Sequence, residues 1–226
     1  GAYGAKRLSE TISPEFFITL DGGDPQHIVT REKGILLLKL TAKGTAAHAA
    51  RPWLGESGFD ILISDYQNLQ QLFPVQAPDH WERSMVLSLC QTGNGSTNMV
   101  PALATATLDI RYTEQDDLDE LLARMRKICR SNIEVLSKQP MFNSGHSPLF
   151  DLLLLQAPEA KLSCEHGASD ARYFSCRGIP GTIWGAEGEM SQHTGTEHVL
   201  LDSIFNLYDH LDRFLRMADE KRTTEN

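Results

Sequence analysis

Ala104-Thr105-Ala106-Thr107-Leu108-Asp109-Ile110-Arg111-Tyr112 sets small or apolar residues at every even position and polar or small ones between. A period of two is that of a strand with one buried and one wet face. Outward from it, Leu36, Leu38, Leu40 and Ala42 share one face of a strand over residues 35–42. A loop with His48 and Pro52 follows, then a helix from about Ser57 to Leu72 and a second strand from Met85 to Cys90. Beyond Tyr112, Asp116 or Asp117 can cap a helix with the stripe Leu118, Leu121, Leu122, Met125 and Cys129. Asn132 to Leu136 closes the set as a fourth strand. Strand-helix-strand-strand-helix-strand is the split βαβ order of a ferredoxin-like α/β sandwich.

The flanks read differently. Ala2 to Leu8 is a helix fragment with no start signal, as if the chain opened inside an element and had lost its beginning. Phe16 to Leu20 is a short buried strand, broken by Asp21-Gly22-Gly23-Asp24-Pro25. After Asn143-Ser144-Gly145 come a short helix (Pro148 to Leu155) and a small-residue strand from Gly178 to Gly185. A final helix has the stripe Ile204, Leu207, Leu211, Phe214 and Leu215, with Thr196 as its candidate N-cap. The tail Ala218 to Asn226 is polar and is expected to fray. Alone these pieces bury little, and they call for a partner sheet from outside the chain.

With 226 residues and a net charge of −9, the chain has no basic face to meet phosphates. Neither nucleic acid nor membrane is expected as a partner. No apolar run nears the ~20 residues of a spanning helix. Cys90, Cys129, Cys164 and Cys176 lack CxxC spacing and read as reduced core residues of a cytoplasmic protein.

Three stretches can carry chemistry. In the loop Gly44 to Pro52, alanines flank His48 and leave its ring free to project, although a lone loop histidine is often an ordinary surface residue. Asn94 to Pro101 can fix Asn98 as a donor, and Arg111 can grip a carboxylate with two parallel bonds. A turn and a solvated strand face read the same way. The third stretch joins Gly167 to Arg172 with Glu187, Glu189, His193, Glu197 and His198, downstream of a strand whose C-terminal end suits a ligand or metal. A solvated loop before a helix is the competing reading.

In this order KGILLLKLTAKGTAAHAARP (33–52), GNGSTNMVPALATATLDIR (93–111), GASDARYF (167–174) and HTGTEHV (193–199) resemble one family's signature segments. That family is the zinc metallopeptidases containing aminoacylase, acetylornithine deacetylase, succinyl-diaminopimelate desuccinylase and glutamate carboxypeptidase. The resemblance implies a ferredoxin-like lid and dimerisation domain, residues 34–143, inserted in an incomplete α/β catalytic domain, residues 1–33 and 144–226.

Residue by residue, His193 matches the family's last metal-binding histidine and Asp21 its first-metal carboxylate, with Asp24 the competing assignment. His48 matches the lid histidine that reaches the neighbouring subunit's site and stabilises the oxyanion. Asn98 and Arg111 match the binders of the substrate's carboxylate side. Gly167, Ala168 and Ser169 match a pocket-lining loop, and Asp170 with Arg172 a structural pair. Ser57-Gly58 and Thr196 depart from the usual Asn-Ala and Asn. The family's His-x-Asp motif, bridging aspartate and Glu-Glu pair find no match. His27, His80, His146 and His166 have no such partner, and no two glutamates are adjacent.

The expected activity is hydrolysis of an amide in an N-acyl amino acid or peptide, by a homodimer holding two zinc ions per intact site (cobalt or manganese being alternatives). Those ions share a water whose pKa they lower. This chain alone is expected to be inactive. The alternative is a non-catalytic carboxylate-binding or dimerisation module of the same descent.

Overall fold

A computed structural model describes residues 2–75, 77–188, 191 and 194–224. The chain runs α1 (Ala2–Thr11), β1 (Phe17–Thr19), β2 (His27–Glu32), β3 (Gly34–Lys43), β4 (Ala47–His48), α2 (Gly58–Gln70), β5 (Ser84–Thr92) and β6 (Met99–Val100). It continues β7 (Leu103–Tyr112), α3 (Leu118–Ile128), β8 (Asn132–Gln139), β9 (Phe142–Asn143), α4 (Pro148–Gln156), β10 (Lys161–Glu165), α5 (Arg172–Ser175), β11 (Gly181–Ile183) and α6 (Leu201–Thr224). An inserted unit, Gly34–Gln139, interrupts a discontinuous one, Gly1–Lys33 with Pro140–Asn226.

In the inserted unit an antiparallel sheet has the order β5-β7-β3-β8, the ferredoxin-like arrangement. The alternation in β7 pays off in register: Leu36, Leu38, Leu40 and Ala42 lie opposite Ile110, Leu108, Ala106 and Ala104, all buried. The helices add Ile61, Leu62 and Leu69 from α2 and Leu118, Leu121, Leu122 and Met125 from α3. Ser57 caps α2 and Asp117 caps α3. Asp116 is taken instead by Arg83, at 2.6 Å, and by Thr113. At the far end of α3 the buried Asp65 of α2 accepts the main-chain N–H groups of Arg130 and Ser131, at 3.0 and 2.7 Å. Both N–H groups lie in the turn between α3 and β8, outside either element's own hydrogen-bond ladder.

The discontinuous unit has a sheet in the order β1-β11-β2-β10, with β9 also on β2. Its core gathers Ile28, Leu153, Leu207 and Phe214 around the fully buried Trp184. This corrects the expectation that the flanks need a sheet from outside: β2 and β10, missed in the sequence reading, supply it. Helix α6 begins five residues after Thr196, which is therefore not its N-cap, and it stays helical to Thr224. Leu207 and Phe214 are buried, whereas Ile204 and Leu215 are exposed.

The cysteines are all free, but Cys90 and Cys176 are exposed and Cys129 and Cys164 half-buried, so none is a core residue. Burial, with Asp65 beside it, pushes the Cys129 thiol up to about 12. Among the described residues no helix is long and apolar enough to cross a membrane.

Candidate functional site

Strands β4 and β6 form a small ribbon, with Ala47 opposite Val100 and His48 opposite Met99. The main-chain N–H of Ala49 donates to the Asn98 carbonyl at 2.8 Å. His48 and Asn98, 50 positions apart, thus become neighbours, both exposed. The loop that carries His48 is closed at its base by paired main-chain bonds between Thr45 and Glu56, at 2.8 and 2.9 Å. Gly44 permits that closure, since a Cβ there would run into the Glu56 carbonyl. The N–H of Ala50 donates to Nδ1 of His48 at 3.1 Å. A neutral ring that accepts at Nδ1 carries its proton at Nε2, so the free nitrogen is a donor.

Arg111 does not join them. It stands eight residues along β7 from Leu103, about 26 Å at strand rise. There it lies opposite Ile35 and Ser84. Nε and Nη2 of Arg111 donate to the two carboxylate oxygens of Asp109, at 2.8 and 3.1 Å. The Nη1 side of the fork stays available to a ligand.

In the discontinuous unit β1 and β11 run parallel, so their C-terminal ends lie side by side. The main-chain N–H of Trp184 donates to the Thr19 carbonyl at 2.9 Å. A Cβ on Gly185 would meet the carbonyls of Leu20 and Gly22 at 2.6 and 2.7 Å. The Asp21 turn therefore lies against the segment after β11, at the strand ends where sheets of this kind keep ligands. Asp21 is exposed. Asp24 is engaged: Oδ1 accepts the Gln26 N–H at 2.7 Å, and Oδ2 meets His27 Nδ1 at 2.8 Å. His193 and Glu189 lie outside the described residues.

Gly167 is exposed, Ala168 half-buried and Ser169 buried. Ser169 spends both its N–H and its hydroxyl on one oxygen of Glu32, at 2.8 and 2.7 Å. Burial raises the Glu32 carboxyl above its ordinary value; the Ser169 bonds and the Arg172 charge pull it part of the way back. Arg172 makes no ion pair with Asp170: its Nε and Nη1 are buried without a partner, and it stacks over Tyr173 at 5.1 Å. Ser169 and the Asp21 turn sit near opposite ends of β2, which is six residues long, so they are on the order of 15 Å apart.

Glu165, opposite Glu32 on β10, is an acid with no motif to mark it in the sequence. Glu165 is raised by burial, and it feels the charges of His166, Asp24 and His27. Among the described residues no three His, Cys, Asp or Glu side chains converge to hold a metal.

Residues 30–135 match the peptidase dimerisation domain family of the M20 type. A succinyl-diaminopimelate desuccinylase of Ehrlichia canis is 27% identical over 200 residues, 81% of this chain and 51% of its own length. Its counterpart from Gluconacetobacter diazotrophicus is 26% identical over 89% of the chain and 56% of its own. A probable carboxypeptidase of Aspergillus fumigatus is 33% identical over 49% of the chain and 28% of its own. A tripeptidase from Staphylococcus aureus shares the fold with a TM-score of 0.81 at 20% identity, covering 96% of this chain and 61% of that one. An aminopeptidase from Bacillus cereus does so at 0.77 and 20%, covering 95% and 60%. The chain spans about half the length of the desuccinylases it matches.

Proposed function

We propose that this chain, whose residues 30–135 match a peptidase dimerisation domain and whose relatives include desuccinylases and a probable carboxypeptidase, serves amide hydrolysis. The substrate is an N-acyl amino acid or peptide, and the working protein is a cytoplasmic homodimer. Water adds to the amide carbonyl, the C–N bond breaks, and a carboxylate and an amine leave.

One observation carries this reading: the His48 ring, exposed beside Asn98, has its Nδ1 occupied by Ala50. Its Nε2–H is then a preset donor for the negative charge that develops on the carbonyl oxygen. Arg111, steadied by Asp109, takes the substrate's carboxylate. A substrate that meets both His48 and Arg111 draws them from two copies, because Arg111 stands about 26 Å along β7 from Leu103, the strand end that follows the ribbon carrying His48. Gly167 and Ala168 are assigned by the resemblance to a pocket-lining loop, in which Ser169 is held by Glu32.

Of two zinc ions, one would take Asp21, whose carboxylate is free where that of Asp24 is not, and the other His193. The described residues alone do not fit a zinc centre. They offer Asp21, short of the four ligands such a centre takes, so the chemistry assigned here is that of the chain's own groups.

The test is a panel of N-acyl amino acids and dipeptides, each with a free or an amidated carboxyl end. It is run on the 226-residue chain and on a longer protein, the chain extended to the length of its desuccinylase relatives. The expected result is turnover by the longer protein only, restricted to free carboxylates. Turnover by the short chain, or indifference to amidation, overturns the assignment. Carboxylate binding without turnover by the longer protein would favour the non-catalytic module.

A further inference from the structure

Two strands carry the chain out of the discontinuous unit and back: β2, ending at Glu32, and β9, which pairs with it through Arg31↔Asn143 and Glu32↔Phe142. Both are fastened to one short stretch, residues 169–175. Ser169 holds Glu32 with two bonds, at 2.8 and 2.7 Å. Ser175 donates its hydroxyl to the Asn143 carbonyl at 2.6 Å and accepts the Asn143 N–H at 3.2 Å. Glu32 and Ser169 are only 5% and 8% exposed. A carboxylate so placed is costly unless bonded, and its bonds go to the pocket loop rather than to its own strand.

We infer that Glu32 is a positioning residue. It locks the Gly167–Ser169 loop to the strand that leads into the inserted unit, so loop and crossover strands order together. The identity of the ligand that meets the loop rests on the hydrolase reading; the lock does not. The charged groups facing Glu32 are Arg172 of α5 and Glu165 of β10, the first favouring its ionised form and the second opposing it. Acid protonates Glu32 and weakens it as an acceptor, so the lock holds best when the carboxylate is ionised.

Amide hydrogen exchange, read residue by residue and corrected for intrinsic rate, tests this on the 226-residue chain. Glu32→Gln should speed exchange at Ser169 at least tenfold, and at Asn143 several-fold, although Asn143 bonds to Ser175 and not to Glu32. Ser169→Ala, which leaves the carboxylate in place, should speed both to a lesser degree and keeps the test open if Glu32→Gln does not fold. Protection at Ser169 should fall on acidification in the unaltered chain and stay flat with pH in Glu32→Gln. Unchanged exchange at Ser169 in both variants overturns the lock, as does an equal loss at Trp184, which would mark general destabilisation. If the substrate panel shows no hydrolysis while these rates move as expected, the hydrolase reading fails and the lock stands. Hydrolysis with unmoved rates is the reverse case.

Discussion

Ala50 gives its main-chain N–H to Nδ1 of His48 across 3.1 Å, and this bond decides which ring nitrogen is left to act. Nitrogen NMR of the chain at pH 8 should show His48 as the Nε2–H tautomer. In the hydrolytic protein, His48→Ala should lower kcat by about 10²–10³ with little change in KM, as expected for the loss of one oxyanion donor. An unchanged kcat would remove His48 from the reaction.

Arg111 and Asp109 lie two apart on one face of β7, joined by a forked pair of bonds. Arg111→Lys keeps the charge but loses the planar fork, so KM should rise about 30-fold, roughly 2 kcal/mol. Asp109→Ala frees the guanidinium to wander and should raise KM by less. Steady-state kinetics separates this from a fall in kcat alone, which would show that Arg111 does not hold the ground-state carboxylate.

Strand β5 is an edge, with Val86 and Leu89 59% and 66% exposed. Neither proline nor lysine guards it, as an unpartnered edge would require. If the proposed homodimer forms through this edge, Leu89→Lys should turn it into a monomer in analytical ultracentrifugation and leave the melting temperature within a few degrees. A dimer that survives both Val86→Lys and Leu89→Lys has its interface elsewhere.

The inserted unit was legible because its strands alternate and its caps are local. Leu36 to Ala42 and Ala104 to Tyr112 show one face each, and Ser57 and Asp117 act within three residues. Strand β2 escaped because its buried pair, Ile28 and Val29, are adjacent rather than alternate, where the β10 pairing shows a register shift nearby. Ser169 read as a pocket residue because its partner Glu32 is 137 positions away, a distance no local pattern spans. Asn98 and Arg111 read as one site because they lie within a single segment, yet Arg111 stands near the far end of β7, eight residues beyond Leu103.

Asp65 joins α2 to the turn after α3 by accepting two main-chain N–H groups. Asp65→Ala leaves both without an acceptor, one of them at the buried Ser131. The expected loss is about 3 kcal/mol, read as a lower urea midpoint with an unchanged slope. Asp65→Asn retains one acceptor and should lose less. A loss below about 1 kcal/mol would mean that water replaces the carboxylate.

Glu165 has its carboxyl raised by burial, so the folded state binds its proton more tightly than the unfolded chain. Its contribution is fully present below the unfolded value and is lost as pH rises through the folded one. Glu165→Gln should therefore melt higher than the unaltered chain at pH 7, with the gap closing as pH falls towards 4. A gap that widens in acid would contradict the burial cause.

Ile35 and Gln139 are cross-strand partners, so the chain enters and leaves the inserted unit about one strand spacing apart, roughly 5 Å. A module attached through two adjoining points is a cassette. Its removal leaves the host a gap that a two-residue turn can bridge. A different cassette can then be joined at the same two points while the host sheet keeps its register.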